Sequence, residues 1–227
     1  MSNEDLSRRD ALGGGAAAVL AGVGAALAVT TVGREANAQV ADAAKLNTLL
    51  RAEYDAILTY GVAEGYLMNP DMTDSDRGAA AIVREVCTYF KSHHTQHAER
   101  LATLVMSLGG TPVGRGEVLT PTLPMPFRAT VMNLIKLAAN KEKKAAIEYV
   151  KTLQSISSAT AAELVAAIGG VETQHFVMLY LVAKNGFTVQ SMMPMVQALA
   201  PRPFVALADA SASASTLAGL PAIEFRT

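Results

Sequence analysis

The chain has 227 residues, 51% of them hydrophobic, with only 17% charged, 5% aromatic and no Trp. That balance excludes a disordered chain, which would be far less apolar, and argues against a β-sandwich or barrel, which needs more β-branched and aromatic residues. The 19 basic and 20 acidic residues argue against a nucleic-acid partner, and a lone cysteine, Cys87, excludes a disulfide scaffold.

The N-terminus reads as an address. Arg8 and Arg9 precede an uncharged run from Ala11 to Val32 in which 13 of 22 residues are Gly or Ala, so the run is only mildly hydrophobic. Ala36-Asn37-Ala38 closes it with the small-x-small spacing of a signal peptidase site. Twin arginines before a weak apolar core resemble a twin-arginine (Tat) export signal. The expectation is export with cleavage after Ala38 and a periplasmic or other extracytoplasmic location. The alternative is a retained membrane anchor, since 22 uncharged residues can span a ~30 Å hydrocarbon core. Residues 39–227 carry 16 basic and 16 acidic side chains, so no anionic surface is implied as a partner. Membrane contact is expected only if the signal segment is retained, and a homo-oligomer or an envelope partner stays open.

Four helical patterns follow. The first spans about Ala41–Met68, with Leu46, Leu49/Leu50, Ile57 and Tyr60 at three-to-four-residue spacing, and Asn69-Pro70 breaks it. The second starts near Thr73 or Asp74 and runs through Val83, Val86/Cys87, Phe90, Leu101 and Leu108 to Gly109-Gly110. The third is expected from about Phe127 to Leu153 and the fourth from about Ser158 to Lys184. A short helix over Thr188–Leu199 and a tail from 201 to 227 complete the chain, which divides into a signal segment (1–38), a bundle (39–200) and the tail. Short links pair helices one with two and three with four as antiparallel hairpins. The link from Gly110 to Pro126 holds four prolines. At ~3.3 Å per residue it can reach ~55 Å, longer than a helix of ~28 residues at ~1.5 Å each, so it can return along the whole bundle. Hairpin, long crossover, hairpin is one of the known four-helix-bundle connections.

Ionisable groups interrupt the apolar stripes. Helix one carries Glu53, helix two His94 and His97, helix three Glu142, and helix four Glu172 and His175. A buried carboxylate is costly unless it is paired or bound to a metal. The halves also repeat: Glu53-x6-Tyr60 matches Glu142-x6-Tyr149, and His94-x-x-His97 matches Glu172-x-x-His175. Tyr60 and Tyr149 should pack in the core and donate a hydroxyl to a carboxylate. His93, Glu85 and Glu99 fall off the stripes and are expected at the surface, and Lys141, Lys143 and Lys144 form a solvated face. Cys87 reads as a buried structural thiol and Met192, Met193 and Met195 as apolar filling.

From Ala41 to Asn185 this pattern resembles the ferritin-like superfamily, and with its N-terminus the exported Tat-signal ferritin-like domain proteins of bacteria. The resemblance implies an all-α, ferritin-like four-helix bundle with a long crossover between helices two and three. It implies Glu53 and Glu142 as terminal carboxylate ligands, Glu172 as a bridging carboxylate, and His97 and His175 as imidazole ligands of an iron or manganese centre. Position 94 departs from the family pattern, having His where a second bridging Glu belongs. A neutral imidazole has one metal-binding lone pair and no negative charge, which weakens a symmetric dinuclear centre and leaves a mononuclear or mixed one open. At most one tightly held ion, or none, is expected. The implied role is redox or metal handling. The competing expectation is a metal-free Glu/His network in a degenerate bundle that serves as an envelope scaffold or stress-related interaction module.

Overall fold

The computed structural model describes residues 4–68, 77–123 and 126–185, with side chains from residue 35 to 184 within those ranges. Four α-helices account for most of it: α1 Glu4–Leu67, α2 Arg77–Ser107, α3 Val131–Leu153 and α4 Ala159–Asn185, with a 3-10 turn at Arg115–Glu117. No strand occurs among the described residues. The proposed short helix at 188–199, the methionines at 192–195, the tail and the start of the second helical pattern at 73–74 lie outside them.

α1 corrects the expected first boundary. It does not begin near Ala41 but runs unbroken from Glu4. No proline stands before Pro70 and the stretch is rich in Ala, and the helix continues through the glycines at 13–15, 22, 24 and 33. α3 begins four residues later than expected. Thr130 is its N-cap, in extended conformation, and its hydroxyl accepts from the Asn133 amide at 3.1 Å. α2 stops as expected: Gly109 adopts φ 78°, and the Gly110 amide donates to the Val105 carbonyl at 2.9 Å. Gly110 is also a point of close approach, because a Cβ there would lie 2.8 Å from that of Ala43 on α1.

α1 packs chiefly on α2 and α3 chiefly on α4, with thinner contact between the two hairpins. The crossover runs along α1. Asn47 holds it from both sides, donating to the Thr111 carbonyl and accepting from the Val113 amide, each at 2.8 Å. Pro121 to Leu123 then lie beside Thr59, Val62 and Ala63. Asp42, buried on α1, secures the link between α3 and α4. Its carboxylate accepts from the Ser157 and Ser158 amides at 2.9 and 2.7 Å, capping the first turn of α4, where an anion also meets the positive end of the helix dipole.

The core has two apolar layers. One is built on Leu46, Leu49, Leu50, Leu101, Val165 and Ile168, the other on Val83, Phe90, Leu134, Ile135, Phe176 and Leu179. In every helix the ionisable stripe residues fall between these layers, so the polar groups form a slab across the middle of the bundle. By length and composition Ala159–Lys184 could cross a membrane, but 61% of its apolar window is buried in the bundle, as befits a core helix that carries Glu172 and His175.

Candidate metal centre

The slab brings all six sequence-derived candidates together. Their potential ligand atoms form two groups, each within 4.8 Å: Glu53, His94, His97 and Glu172, and His94, Glu142, Glu172 and His175. His94 and Glu172 belong to both. Each half therefore has its own Glu and its own His, with one imidazole and one carboxylate between them. All six side chains are at most 2% exposed.

His94 sits at the hub. Its Nδ1 donates to Glu53 Oε2 at 2.7 Å, its Nε2 to Glu142 Oε1 at 3.2 Å, and Glu172 Oε1 lies 3.7 Å from Nδ1. Both nitrogens face carboxylates, which an imidazolium satisfies. Burial alone would lower its pKa, but the negative charges of Glu172, Glu142 and Glu53 override that and raise it well above the usual histidine value. His97 Nδ1 lies 3.1 Å from Glu172 Oε1 and 3.4 Å from Glu53 Oε2. Against its burial, Glu53 and then Glu172 push His97 up to about 9. Burial pushes Glu53 up, but the charges of His97 and His94 outweigh it and hold the carboxyl down at about 2. Glu142 is likewise held below the carboxylate range, by His94 and His175. Glu172 goes the other way. Burial, opposed by His94 and reinforced by the charges of Glu142 and Glu53, raises it to about 8.

The two tyrosines behave as expected and cross over as they do so. Tyr60 of α1 donates to Glu142 Oε1 of α3, and Tyr149 of α3 donates to Glu53 Oε1 of α1. Each hydroxyl fixes one oxygen of a terminal carboxylate and leaves the other, Glu53 Oε2 or Glu142 Oε2, turned to the histidines. Burial, then the adjacent carboxylate, raises both phenols well above their usual value, which keeps them protonated donors.

His93 overturns the surface assignment. It is 1% exposed, and its Nδ1 lies 3.0 Å from His175 Nε2. With His175 Nδ1 donating to Glu142 Oε2 at 3.3 Å, the pattern assigns the His93–His175 proton to His93. Burial, then the neighbouring His175, lowers His93 to about 3, and it is neutral at physiological pH. A signal for it existed. Positions 86, 90, 93 and 97 are spaced four, three and four, so the stripe doubles at 93/94 as it does at 86/87. All four histidines of the chain thus lie in one slab. Asp42, the buried cap of α4, carried the same signal: it stands four residues before Leu46, in phase with the α1 stripe.

Glu85 and Glu99 are exposed, as expected, and Cys87 is buried with its thiol pushed up by burial to about 12. The solvated face on α3 needs a partial correction, because Lys141 is half-buried and pairs with Asp55 of α1 at 2.7 Å. Such a pair closes the seam between the hairpins.

Whether the site suits a metal turns on Glu172. Both of its oxygens are buried; Oε1 has the close approach of His97 Nδ1 at 3.1 Å, and Oε2 has no hydrogen-bond partner among the described residues. A buried carboxylate oxygen without a donor is expensive, and a cation is one way to satisfy it. Three carboxylates and up to three imidazoles with free lone pairs form a donor set suited to iron, manganese or zinc. The residues fit such an ion.

Four helices in two hairpins, a crossover spanning the bundle, and a carboxylate-histidine slab at mid-height define a ferritin-like architecture. The family model for the ferritin-like domain matches residues 41–184, and the chain belongs to that family. No curated protein and no solved structure matches the chain significantly.

Proposed function

We propose that this protein is exported by the Tat pathway and holds one iron or manganese ion in the Glu/His slab, acting in redox or metal handling outside the cytoplasm. The observation that carries the reading is the convergence of six buried donor side chains on two overlapping groups that share His94 and Glu172. Glu53, His97 and Glu172 would hold an ion in one half, and Glu142, His175 and Glu172 in the other. Bound there, the ion would supply Lewis acidity and, if iron or manganese, a redox couple. The chain's own part is to fix the terminal carboxylates through Tyr149 and Tyr60, to orient His175 through His93, and to exclude water with the two apolar layers. Elemental analysis of protein from the exported fraction, after dialysis against a weak chelator, is expected to find up to one iron or manganese per chain. Protein that contains neither and takes up neither Fe(II) nor Mn(II) would refute the reading.

A second reading has an observation in its favour. Near pH 7 the metal-free slab is electrically balanced: Glu53 and Glu142 are anionic, His94 and His97 cationic, and Glu172, His175 and His93 neutral. Such a network stands without an ion and suits a degenerate bundle acting as an envelope scaffold. The same elemental analysis separates the two readings.

The export proposal rests on the N-terminal sequence. Changing Arg8 and Arg9 together to Lys is expected to leave the precursor in the cytoplasmic fraction, because the export receptor reads the arginine pair itself. Normal export of the double variant, followed by immunoblotting of cell fractions, would point to a Sec signal or an anchor.

A further inference from the structure

His93 belongs to neither potential ligand group, yet it is buried in the slab and its Nδ1 meets His175 Nε2 at 3.0 Å. The two ring planes lie 14° apart and their centroids 5.2 Å apart, about as far as that N···N distance permits. The bond therefore runs in the plane of both rings and along the line of their centres, the direction in which a ring nitrogen donates or accepts best. Phe90 stacks on a face of His175, with centroids 3.8 Å and planes 22° apart. Held at one edge and on one face, the His175 ring presents its remaining nitrogen, Nδ1, to Glu142 Oε2.

Histidine suits that place because it can serve either state of its partner. Without an ion, His175 carries its proton on Nδ1, towards Glu142, and accepts at Nε2 from His93. With an ion on Nδ1, its proton sits on Nε2 and donates to His93 Nδ1, so each ring holds one proton throughout. Metal-binding imidazoles are commonly fixed in this way through the other nitrogen.

The two halves of the slab are not equally open to an ion. In one, Glu53 Oε1 accepts from Tyr149, Oε2 meets His94 Nδ1 at 2.7 Å, and His97 Nδ1 lies 3.1 Å from Glu172 Oε1. In the other, Tyr60 and His94 converge on Glu142 Oε1, and Oε2 keeps only the 3.3 Å contact with His175 Nδ1 among the described residues. Glu172 Oε2 has no partner among them. An ion beside Glu53 must break a short charge-assisted bond, whereas one beside Glu142 replaces a long, weak contact.

Granted the metal reading above, we infer that the single ion lodges with Glu142, His175 and Glu172, and that His93 is the positioning residue that sets this half up by holding His175. Glu53, His94 and His97 keep their hydrogen bonds to one another and to Glu172.

Nitrogen NMR of the imidazole rings in the full chain, titrated with Zn(II) as a diamagnetic divalent probe, tests the choice of half. One equivalent is expected to bring His175 Nδ1 to a metal-bound shift and its proton to Nε2, while His97 keeps its Nδ1 proton. His93→Phe, which keeps a ring and removes the nitrogen, should lower Zn(II) affinity by about tenfold or more. His93→Asn puts an amide near the place of Nδ1 and should bind several-fold more tightly than His93→Phe, although it fills the space less well. Packing alone would rank the two variants the other way. If His93→Phe does not fold, His93→Leu takes its place in the comparison. An ion on His97 Nδ1, alone or together with His175, overturns the choice of half and leaves the metal reading standing. An apolar variant that binds as tightly as the unmodified chain, or more tightly than His93→Asn, overturns the role of His93. An unmodified chain that takes up no Zn(II), Fe(II) or Mn(II) overturns the metal reading and this assignment together.

Discussion

Replacing His94 with Glu is expected to raise the tightly held metal from at most one ion per chain towards two. The unmodified slab carries three carboxylates, Glu53, Glu142 and Glu172, at its centre. Two divalent ions would exceed their charge by one, in an interior where unpaired charge is expensive. A fourth carboxylate at position 94 closes that gap. The geometry places it well, because His94 belongs to both potential ligand groups and reaches towards Glu53 with one nitrogen and Glu142 with the other. The same substitution removes the hub cation of the metal-free slab and crowds four carboxylates around His97. The metal-free variant should therefore lose about 3–5 kcal/mol, the range for breaking a buried ion pair, and recover when metal is added. Metal-to-protein ratios after dialysis, with thermal unfolding measured with and without added Mn(II), check both parts. Two tightly bound ions in the unmodified chain would show that His94 is no obstacle, and no gain in the variant would show that position 94 does not serve the ions.

Metal uptake should also expel protons, and its affinity should climb steeply with pH. Near pH 7 the metal-free slab is balanced with His94, His97 and Glu172 protonated. A divalent ion that leaves the slab neutral must displace about two protons, so its apparent affinity should rise by up to about a hundredfold per pH unit and level off above pH 9. Calorimetric titration in two buffers of different ionisation enthalpy counts those protons, and release of none would mean that His97 and Glu172 are already deprotonated in the protein. Stability follows from the same groups. Glu172 is raised from 4.5 to about 8 and His97 from 6.5 to about 9, so the stability each contributes is whole below its unfolded value and lost as pH rises through the folded one. Glu53, lowered from 4.5 to about 2, contributes above 4.5 and loses its share as pH falls through 2. The metal-free protein should thus melt at progressively lower temperature from about pH 6.5 to 9, while bound metal holds the alkaline side up. A flat profile over that window would contradict the assigned protonation of His97 and Glu172.

The family, the four bundle helices and the six candidate ligands were legible without coordinates, for one physical reason. A helix that buries one face must keep its apolar residues in phase, so a Glu or His in phase is announced as an inward group by its neighbours. Glu53 between Leu49/Leu50 and Ile57, and Glu172 between Ile168 and Leu179, are plain instances. The pairing of hairpins followed from link length, and the crossover from its prolines and reach. Periodicity within one helix, however, says nothing about which side chain of another helix it will meet. That Tyr60 serves Glu142 and Tyr149 serves Glu53, each across the seam, depends on α1 and α3 lying side by side. A stripe one residue wide leaves His93 at the surface, whereas α4 places His175 Nε2 against it and buries it. Asp42 became a cap for α4 through contacts between segments far apart in the chain. The sequence by itself determined the elements, the phase of their buried faces and the kinds of donor they carry, all of which depend on spacing along one helix. Only the tertiary structure decided which donors pair, which protons they keep and where space is left, because those depend on distances between helices that no local pattern encodes.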